Sequence, residues 1–408
     1  TMYDPQAKPM AIVADCVKGW GSPSQQGDGH HGKPADGGDL DQALTELEQT
    51  GRQVGATADM PLTTSAISEK KPAAANRKPV MSFSEAATAF GMTDQVIKGN
   101  FATRRAYGLA LHALGQAFDD VVALDADVKN STFAEDFYKD DQLRDRFFES
   151  RIAEQNMISV AAGLSAAGKT PFVSTFAKFL TRAYDQIEMA VNSGANINIC
   201  GSHAGITLAA DGPSQMGLPD VAWFRSWTTV ANHSGYPAFY VLQPSDAHQA
   251  YALTVAMAQH EGASYIRTLR PDVEFLYGNE HEFHLGGHEV LTAGRDLLIC
   301  ASGYMVHEAN RALEMLDGQG IDATLVDLYS LPFDQEAILD LANQNNGMIL
   351  TIEDNYGGGI GSAIADAVSA DGCGSVSYTH LRANETEADL VSRLLLVIKR
   401  GGGGGGGG

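Results

Sequence analysis

From residue 103 onward, apolar positions along the chain follow helix-like and strand-like patterns in alternation. The segments "RRAYGLALHALGQA", "AEQNMISVAAGLSAAG" and "AYDQIEMAVNSG" are typical of helices, whereas "VVALDAD", "TPFVSTFA" and "NINICGSHAG" contain short apolar runs. Apolar runs of this length are typical of buried strands. Their alternation with helices predicts an α/β fold: a parallel sheet with helices on both faces.

A second and smaller α/β block is predicted between about residues 286 and 375. The segments "DLLICASG", "DATLVDLYS" and "GMILTIEDN" are predicted strands, and "HEANRALEMLDGQG" and "DQEAILDLANQ" are predicted helices. Glycines in "GGGIG" (residues 357–361) imitate part of a dinucleotide-binding fingerprint but lack its spacing, which favours a tight turn into a helix.

The two ends of the chain have a different character. Near the start we expect a strand over Ala11–Val17, a loop rich in Gly and His, and an amphipathic helix in "DLDQALTELEQ". The polar segment "MPLTTSAISEKKPAAANRKP" is typical of a linker. The chain ends in eight glycines, which offer no side chain to bury. We therefore expect residues 376–408 to be non-native sequence or an unfolded tail.

The chain is strongly acidic, with 28 Lys and Arg against 50 Asp and Glu, a formal charge of −22. Such a charge repels phosphate backbones and argues against nucleic acid as a partner. No apolar run is long enough to cross a bilayer, so no membrane partner is expected. Four widely spaced cysteines without a CxxC pair argue against a zinc site or disulfide framework, and they predict a cytoplasmic location.

Polar clusters follow several of the predicted strands. They occupy Asp125–Ser131, Ser174–Lys178, Ser202–Asp211 and Arg267–Arg270. Because open parallel sheets bind their ligands at the carboxyl ends of strands, we expect these clusters to form one site.

A series of motifs, in this order, gives the chain a close resemblance to the transketolase family. The motifs are "FATRRAYGLAL", "ALDADVKNST", "RIAEQNMISVAAGL", "STFAKFLTRAYDQIEMA", "GSHAGITLAADGPSQM", "LQPSDA", "YIRTLRP" and "IEDNYGGGIG". The resemblance extends from about residue 8 to residue 375. It implies a thiamin-diphosphate-binding-type parallel sheet domain followed by a smaller α/β transketolase C-terminal domain.

The resemblance also implies domain bounds. We expect the tail of a diphosphate-binding domain over residues 1–50, a linker over 51–100, the pyrimidine-binding domain over 101–275 and the C-terminal domain over 285–375. The chain thus looks like the C-terminal portion of a transketolase, entered partway through a domain.

The resemblance implies transfer of a two-carbon ketol unit from a ketose phosphate to an aldose phosphate, in the pentose phosphate pathway or the Calvin cycle. The implied cofactors are thiamin diphosphate and Mg²⁺ or Ca²⁺, and the implied assembly is a homodimer with the cofactor between two subunits. Three alternatives stay open. The first is a 1-deoxyxylulose-5-phosphate synthase, which shares motifs of the "AEQ" and "RAYDQ" type, and the second is a non-catalytic transketolase-like protein. The third is a natural two-gene transketolase, against which the "HGKP" segment is evidence.

The segment "QGDGHHGKP" contains a Gly-Asp-Gly triplet like the one that begins a metal-binding loop in thiamin-diphosphate enzymes. The family places an asparagine-containing element some distance after the true metal loop, and the matching stretch here, "LEQTGRQVGATADM", has no asparagine. We therefore expect no metal ligand in this chain and negligible turnover by the chain alone. By resemblance, His31 and Lys18 lie near the cofactor diphosphate, and His31 is a catalytic candidate with His30 as its adjacent rival.

Glu154 is the first catalytic candidate. By resemblance, its carboxyl group contacts N1′ of the cofactor's aminopyrimidine and favours the imino tautomer; the simpler alternative is a glutamate favoured by the helix dipole. The resemblance assigns further cofactor contacts to aromatic and polar residues, for which core packing, surface exposure or strand capping are the alternatives. These residues are Phe176, Phe179, Arg182 and Asp127, with Gln186 behind them.

The remaining candidates bind the sugar phosphates. By resemblance, His203 and Asp211 contact the first hydroxyls of the ketose, with His203 a catalytic candidate, and Gln215 lies near the acceptor. The phosphate clamp is assigned to Arg104, Ser131 and Arg270. Arginine suits this role because its planar fork binds phosphate oxygens in pairs. Arg105 and Arg267 are neighbouring rivals, and surface salt bridges or ordinary loop residues are the alternatives.

Overall fold

The computed structural model describes residues 15–26, 33–56 and 75–371, without the side chains of residues 209, 210 and 371. The chain divides into two compact units, Thr1–Lys71 and Pro72–Gly408, which are described separately.

The first unit contains the predicted amphipathic helix, α1, over Gly37–Gln53. A short 3-10 turn, Pro23–Gln25, is held by Glu46 of this helix, whose carboxylate accepts hydrogen bonds from Ser22 Oγ and Ser24 N at 2.9 Å each. Of the strand predicted over Ala11–Val17, residues 11–14 lie outside the described residues, and residues 15–17 form no strand.

The second unit alternates strands and helices along the chain. Its strands are β1 (Asn100–Ala102), β2 (Val121–Asp125), β3 (Phe147–Glu149), β4 (Thr170–Phe176), β5 (Asn198–Ser202), β6 (Phe239–Leu242), β7 (Ala263–Arg267), β8 (Asp272–Glu274), β9 (Glu289–Thr292), β10 (Leu297–Ala301), β11 (Ala323–Asp327), β12 (Ser330–Leu331) and β13 (Ile349–Ile352). Its helices are α2 (Phe83–Ala89), α3 (Thr93–Ile97), α4 (Thr103–Ala117), α5 (Lys129–Thr132), α6 (Glu135–Lys139), α7 (Glu154–Ala166), α8 (Tyr184–Asn192), α9 (Asp220–Thr228), α10 (Ala247–Gln259), α11 (Met305–Asp317), α12 (Gln335–Gln344) and α13 (Ile360–Asp371).

The larger sheet has seven strands in the order β12-β6-β7-β5-β4-β2-β3, parallel except for β12. Successive residues of its central strands are buried on opposite faces, as strand geometry requires. In β2, for example, Val122 and Leu124 pack with α7, α8 and α9, whereas Val121 and Ala123 pack with α4 and α10. This confirms the prediction of a parallel sheet with helices on both faces.

The smaller sheet has four strands in the order β13-β10-β11-β9, with β9 antiparallel to β11. One face of β10 packs on α11, while its other face belongs to a core cluster that continues into the larger sheet. The run "DATLVDLYS", predicted as one strand, is split between the sheets. Its first part is β11, and Ser330 instead begins β12, which pairs antiparallel with β6. Both sheets therefore share one hydrophobic core.

Residues 75–100 differ from the linker that the sequence predicts. They include α2, whose N-terminus has a capping box between Ser82 and Glu85. Phe83 and Ala86 of α2 are buried against Phe101 and Ala250 of the larger domain. The Ala-rich, polar composition of this segment led to the prediction of a linker. Packing against α4 and α10 instead stabilises a helix there.

The "GGGIG" segment forms a turn into α13, as expected. The Glu353 carboxylate accepts hydrogen bonds from the backbone N–H groups of Ile360 (2.8 Å) and Gly361 (3.2 Å). A side chain of the protein thus occupies the helix N-terminus that a phosphate would fill in a dinucleotide site.

Helix α4 contains a glycine that the packing requires. A Cβ on Gly108 would overlap both the backbone and the Cβ of Phe133, and a backbone cannot rotate away as a side chain can. Gly163, in α7, has open space around the same position.

We expect Gly108→Ala to destabilise the protein by about 1–3 kcal/mol, because the overlap outweighs the gain in helix propensity. Gly163→Ala, the matched control, is expected to stabilise it by about 0.5–1 kcal/mol. Thermal and urea unfolding followed by circular dichroism measure both changes. Equal stabilisation by the two substitutions would contradict the packing described here.

Candidate active site

The parallel strands bring the predicted site residues to one edge of the larger sheet. Strands β2, β4, β5 and β7 are mutually parallel, so their carboxyl ends lie on the same side. Phe176 ends β4, His203 directly follows β5, and Arg270 lies three residues beyond β7. Glu154 begins α7 on this side of the fold.

Glu154 is buried, with 1% of its surface exposed. Its Oε1 accepts a hydrogen bond from Arg182 Nη1 at 2.5 Å. Its other oxygen, Oε2, is also buried and has no hydrogen-bond partner among the described residues. A buried carboxylate oxygen without a donor costs free energy, so its presence in a folded chain points to a ligand that satisfies it.

A column of rings lies beside this carboxylate. Phe176 stacks on Phe179 with ring centroids 5.0 Å apart, and on the imidazole of His203 with centroids 4.0 Å apart. The guanidinium of Arg182 lies 4.9 Å from the Phe179 centroid. Arg182 therefore links Glu154 to the aromatic column. Gln186, from the same segment, also has a buried amide oxygen with no partner among the described residues.

His203 is held in an uncommon backbone conformation, with φ of +59°. Its Nδ1 is 2.9 Å from Ser202 Oγ. Burial, followed by the nearby cations of Arg104 and Arg270, lowers the pKa of His203 to about 3. The imidazole is therefore neutral near pH 7 and can both donate and accept a hydrogen bond.

A cluster of arginines lies near His203. Arg104 donates from Nη1 to the carbonyl oxygen of Ser131 (2.8 Å) and from Nε to that of Arg270 (3.1 Å). Arg270 in turn lies 3.4 Å from a carboxylate oxygen of Asp211. Burial, followed by the cations of Arg270 and then Arg105, lowers the pKa of Arg104 below its usual value. Like charges are thus held together, as an anion site requires.

The two rival arginines have other partners. Arg105 pairs with the Gln95 side chain, and Arg267 is buried in an ion pair with Asp220 and Asp354. The structure therefore joins Arg104 and Arg270 near Ser131 and ties Arg267 elsewhere, while Arg105 lies close enough to Arg104 to lower its pKa. Gln215 is half-buried in the loop that carries Asp211.

The turn after β2 carries Asp127 and Ser131, and it is shaped by Asp125, which the sequence placed in this polar cluster without a role of its own. Asp125 accepts hydrogen bonds from Val128 N (2.7 Å) and Thr132 Oγ1 (2.8 Å). Burial raises the pKa of Asp125 to about 7. Asp127 is exposed and donates its backbone N–H to Glu149 at 3.1 Å.

The diphosphate-side candidates belong to the first unit. Lys18 is exposed there, and His31 lies outside the described residues. In residues 15–26, 33–56 and 75–371, no group of three or more His, Cys, Asp or Glu side chains is arranged to hold a metal ion. No helix in this described part is long and apolar enough to cross a bilayer.

Comparisons with known proteins identify the family of the two domains in the second unit. Residues 99–274 match the pyrimidine-binding domain of transketolase, and residues 286–383 match the transketolase C-terminal domain. A solved structure described as a split gene transketolase, an inactive beta4 tetramer, is 36% identical with a TM-score of 0.64, and the match covers 74% of this chain and 99% of that one. The chain belongs to the transketolase family.

Curated relatives extend the comparison. Transketolase of Homo sapiens is 43% identical over 288 residues, 69% of this chain and 44% of the human protein. Transketolase-like protein 2 of Mus musculus is 39% identical over 373 residues, 89% of this chain and 55% of the mouse protein. The chain thus spans about half the length of these relatives.

A transketolase of Pichia stipitis, solved with sedoheptulose 7-phosphate, supports the fold alone, at 18% identity and a TM-score of 0.57, with 79% of this chain and 48% of that one covered.

Membership of the transketolase family implies the use of thiamin diphosphate. The residues present fit the pyrimidine half of that cofactor. Glu154 and Gln186 each have a buried side-chain oxygen without a partner among the described residues, and the half-buried ring of Phe179 stacks on the buried ring of Phe176. The described residues offer no comparable set for a metal ion.

We expect the imidazole of His203 to stay neutral between about pH 8 and pH 5, whereas an unperturbed histidine titrates near pH 6.5. Because folding lowers the pKa of His203, the unfolded chain takes up a proton at a higher pH than the folded chain does. The contribution of neutral His203 to the free energy of unfolding is therefore complete above about pH 6.5 and is lost as pH falls toward 3. NMR of histidine ring carbons, with His203→Gln to assign the signal, measures this. A midpoint above pH 6 would contradict the burial described here.

Proposed function

We propose that the chain provides the pyrimidine-binding and C-terminal parts of a thiamin-diphosphate-dependent transketolase, which moves a two-carbon ketol unit from a ketose phosphate to an aldose phosphate. The observation that carries this proposal is the buried carboxylate of Glu154, held through one oxygen by Arg182 and left without a partner at the other. Family membership supports it.

In this proposal, Glu154 Oε2 holds the ring nitrogen N1′ of the aminopyrimidine, and Phe176 and Phe179 contact its face. When bound, thiamin diphosphate supplies a nucleophilic carbon at C2 of its thiazolium ring. Glu154 sets which tautomer of the aminopyrimidine is favoured, because a carboxyl group can share a proton with the ring nitrogen. Arg182 keeps that carboxyl oriented. Asp127 is proposed to contact the cofactor of a neighbouring subunit in a dimer.

The sugar phosphate is proposed to lie between the His203 side and the arginine cluster. Neutral His203 and the Asp211 carboxylate bind the first hydroxyls of the ketose, and Gln215 lies near the acceptor. Arg104, Arg270 and Ser131 bind the phosphate group. Since the chain carries a formal charge of −22, these local cations supply the attraction that its overall charge does not.

The diphosphate and the metal, Mg²⁺ or Ca²⁺, are proposed to be held mainly by a segment that relatives carry ahead of the matched region, with Lys18 and His31 near the diphosphate. The solved split gene relative is described as inactive in its beta4 form. By analogy, we expect the present chain to need a diphosphate-binding partner for turnover. A cytoplasmic location and a role in the pentose phosphate pathway or the Calvin cycle are proposed with the reaction.

The test is ketol transfer from a ketose phosphate by the chain combined with a transketolase diphosphate-binding segment. We expect turnover that Glu154→Gln lowers by about 100-fold or more, because an amide cannot exchange a proton with the ring nitrogen as a carboxyl does. The matched control is Glu336→Gln, since Glu336 is also in the first turn of a helix but is exposed; it should keep turnover within about twofold.

Three results would contradict this proposal. Full activity of Glu154→Gln would remove the role of the carboxyl group. Decarboxylation of pyruvate in place of ketol transfer would point to a 1-deoxyxylulose-5-phosphate synthase. Cofactor binding without any turnover would point to a non-catalytic relative.

A further inference from the structure

The loop that carries three of the proposed substrate-binding residues runs from residue 203 to residue 217 and is here named the His203 loop. Its two ends are tied together, since Gly205 N donates to the carbonyl oxygen of Gly217 at 2.9 Å. Leu208 and Met216 form a small apolar cluster within it. The position of His203 therefore depends on what holds these ends.

The C-terminal domain reaches the first end of this loop through Asp354. Asp354 lies just after β13 and is 2% exposed. Its Oδ2 accepts a hydrogen bond from the backbone N–H of Ile206 at 3.1 Å. The side chain of Ile206 packs on the core cluster formed by β10, β13 and α11. The loop is thus attached to the C-terminal domain by both a polar and an apolar contact.

Gly205 shows how closely the carboxylate approaches. A Cβ at this position would overlap the carboxylate of Asp354, and the backbone φ of +73° would strain any other residue. His203, two residues earlier, also has a positive φ, of +59°. A non-glycine residue keeps such a conformation only where its surroundings enforce it.

Arg267 connects the second end of the loop to the same carboxylate. Its Nη1 pairs with Asp354 Oδ1, its Nη2 donates to the carbonyl oxygen of Gly217 at 2.8 Å, and its Nε donates to Asp220 Oδ2 at 3.0 Å. The Arg267 side chain is 2% exposed and that of Asp354 is 1% exposed, so water does not weaken the pair. One buried ion pair thus holds both ends of the His203 loop.

We propose that Asp354 is a positioning residue for ketose binding, which fixes the His203 loop from the C-terminal domain and so holds His203 against Phe176. The expected effect on KM for the ketose rests on the proposed function. It gives the C-terminal domain a part in the active site although none of the proposed substrate contacts comes from that domain.

The first test is Asp354→Asn in the complemented enzyme. The amide keeps the shape of the side chain, but its NH₂ group must face a donor, either Ile206 N–H or Arg267, so the contact with one of the two ends of the loop is lost. We expect KM for the ketose to rise about tenfold or more and KM for the aldose to rise with it, because Gln215 lies on the same loop, while the affinity for thiamin diphosphate stays within about twofold. Asp340→Asn, at an exposed position in α12, is the control and should change neither KM.

A second variant guards against loss of folding in the first. Gly205→Ala disturbs the same carboxylate from the loop side, while Arg267 and Asp354 both stay in the chain, so neither buried charge is removed. It should raise the same KM. A double-mutant cycle of Asp354→Asn with His203→Ala should be clearly non-additive, since the first substitution acts through the second residue.

A readout without turnover separates this inference from the proposed function. The groups that face the His203 imidazole are Ser202, Phe176, Arg104 and Arg270. If Asp354→Asn or Gly205→Ala loosens the loop, water reaches the ring and its titration midpoint rises from about 3 toward the ordinary value by at least about one pH unit. NMR of the labelled chain measures this without cofactor or substrate.

The outcomes are distinct. A raised ketose KM and a raised His203 midpoint in both variants support the inference. If the wild-type protein transfers no ketol, the proposed function fails, and the titration midpoint of His203 alone decides whether Asp354 positions the loop. An unchanged midpoint, or lower thermal stability with an unchanged ketose KM, would overturn the inference, because Asp354 would then stabilise the fold without positioning the loop.

Discussion

The hydrogen bond between Arg182 and Glu154 is the interaction on which the candidate active site depends. A carboxylate in apolar surroundings must be compensated, and here Arg182 compensates one oxygen at 2.5 Å while the other stays buried without a partner in the described residues. The same guanidinium lies over Phe179, so the carboxylate and the aromatic column keep a fixed relation. The folded chain thus holds an acceptor and a flat apolar surface side by side, which is what an aminopyrimidine requires.

This arrangement needs the rest of the fold to be rigid. Parallel pairing brings the ends of β4, β5 and β7 together, and the shared core joins the larger sheet to the smaller one. The Arg267–Asp354 pair lies where the two meet, at the base of the His203 loop. A buried pair of this kind contributes little net stability, but losing one partner is costly, so it fixes geometry more than it adds free energy. The C-terminal domain is therefore part of the support for the site.

Much of the fold, and part of the site, could be predicted from the sequence. Elements such as α4, β2 and α7 were predictable because their apolar spacing matches burial on the two faces of the sheet. The Ser82–Glu85 capping box was a readable signal for α2 that its polar surroundings concealed. Periodicity could not single out Glu154, since one glutamate at a helix start is usually a dipole partner, and only the order of family motifs distinguished it. Asp354 left no local signal, because its partner Arg267 lies 87 residues away.

The measurement that tests the role of Glu154 most directly is exchange of the C2 proton of thiamin diphosphate for deuterium in the complemented enzyme, without substrate. If the free oxygen of Glu154 sets the state of the aminopyrimidine, Glu154→Gln slows this exchange by about 100-fold or more while the cofactor stays bound. An exchange rate equal to that of the unaltered protein, at full cofactor occupancy, would contradict the account.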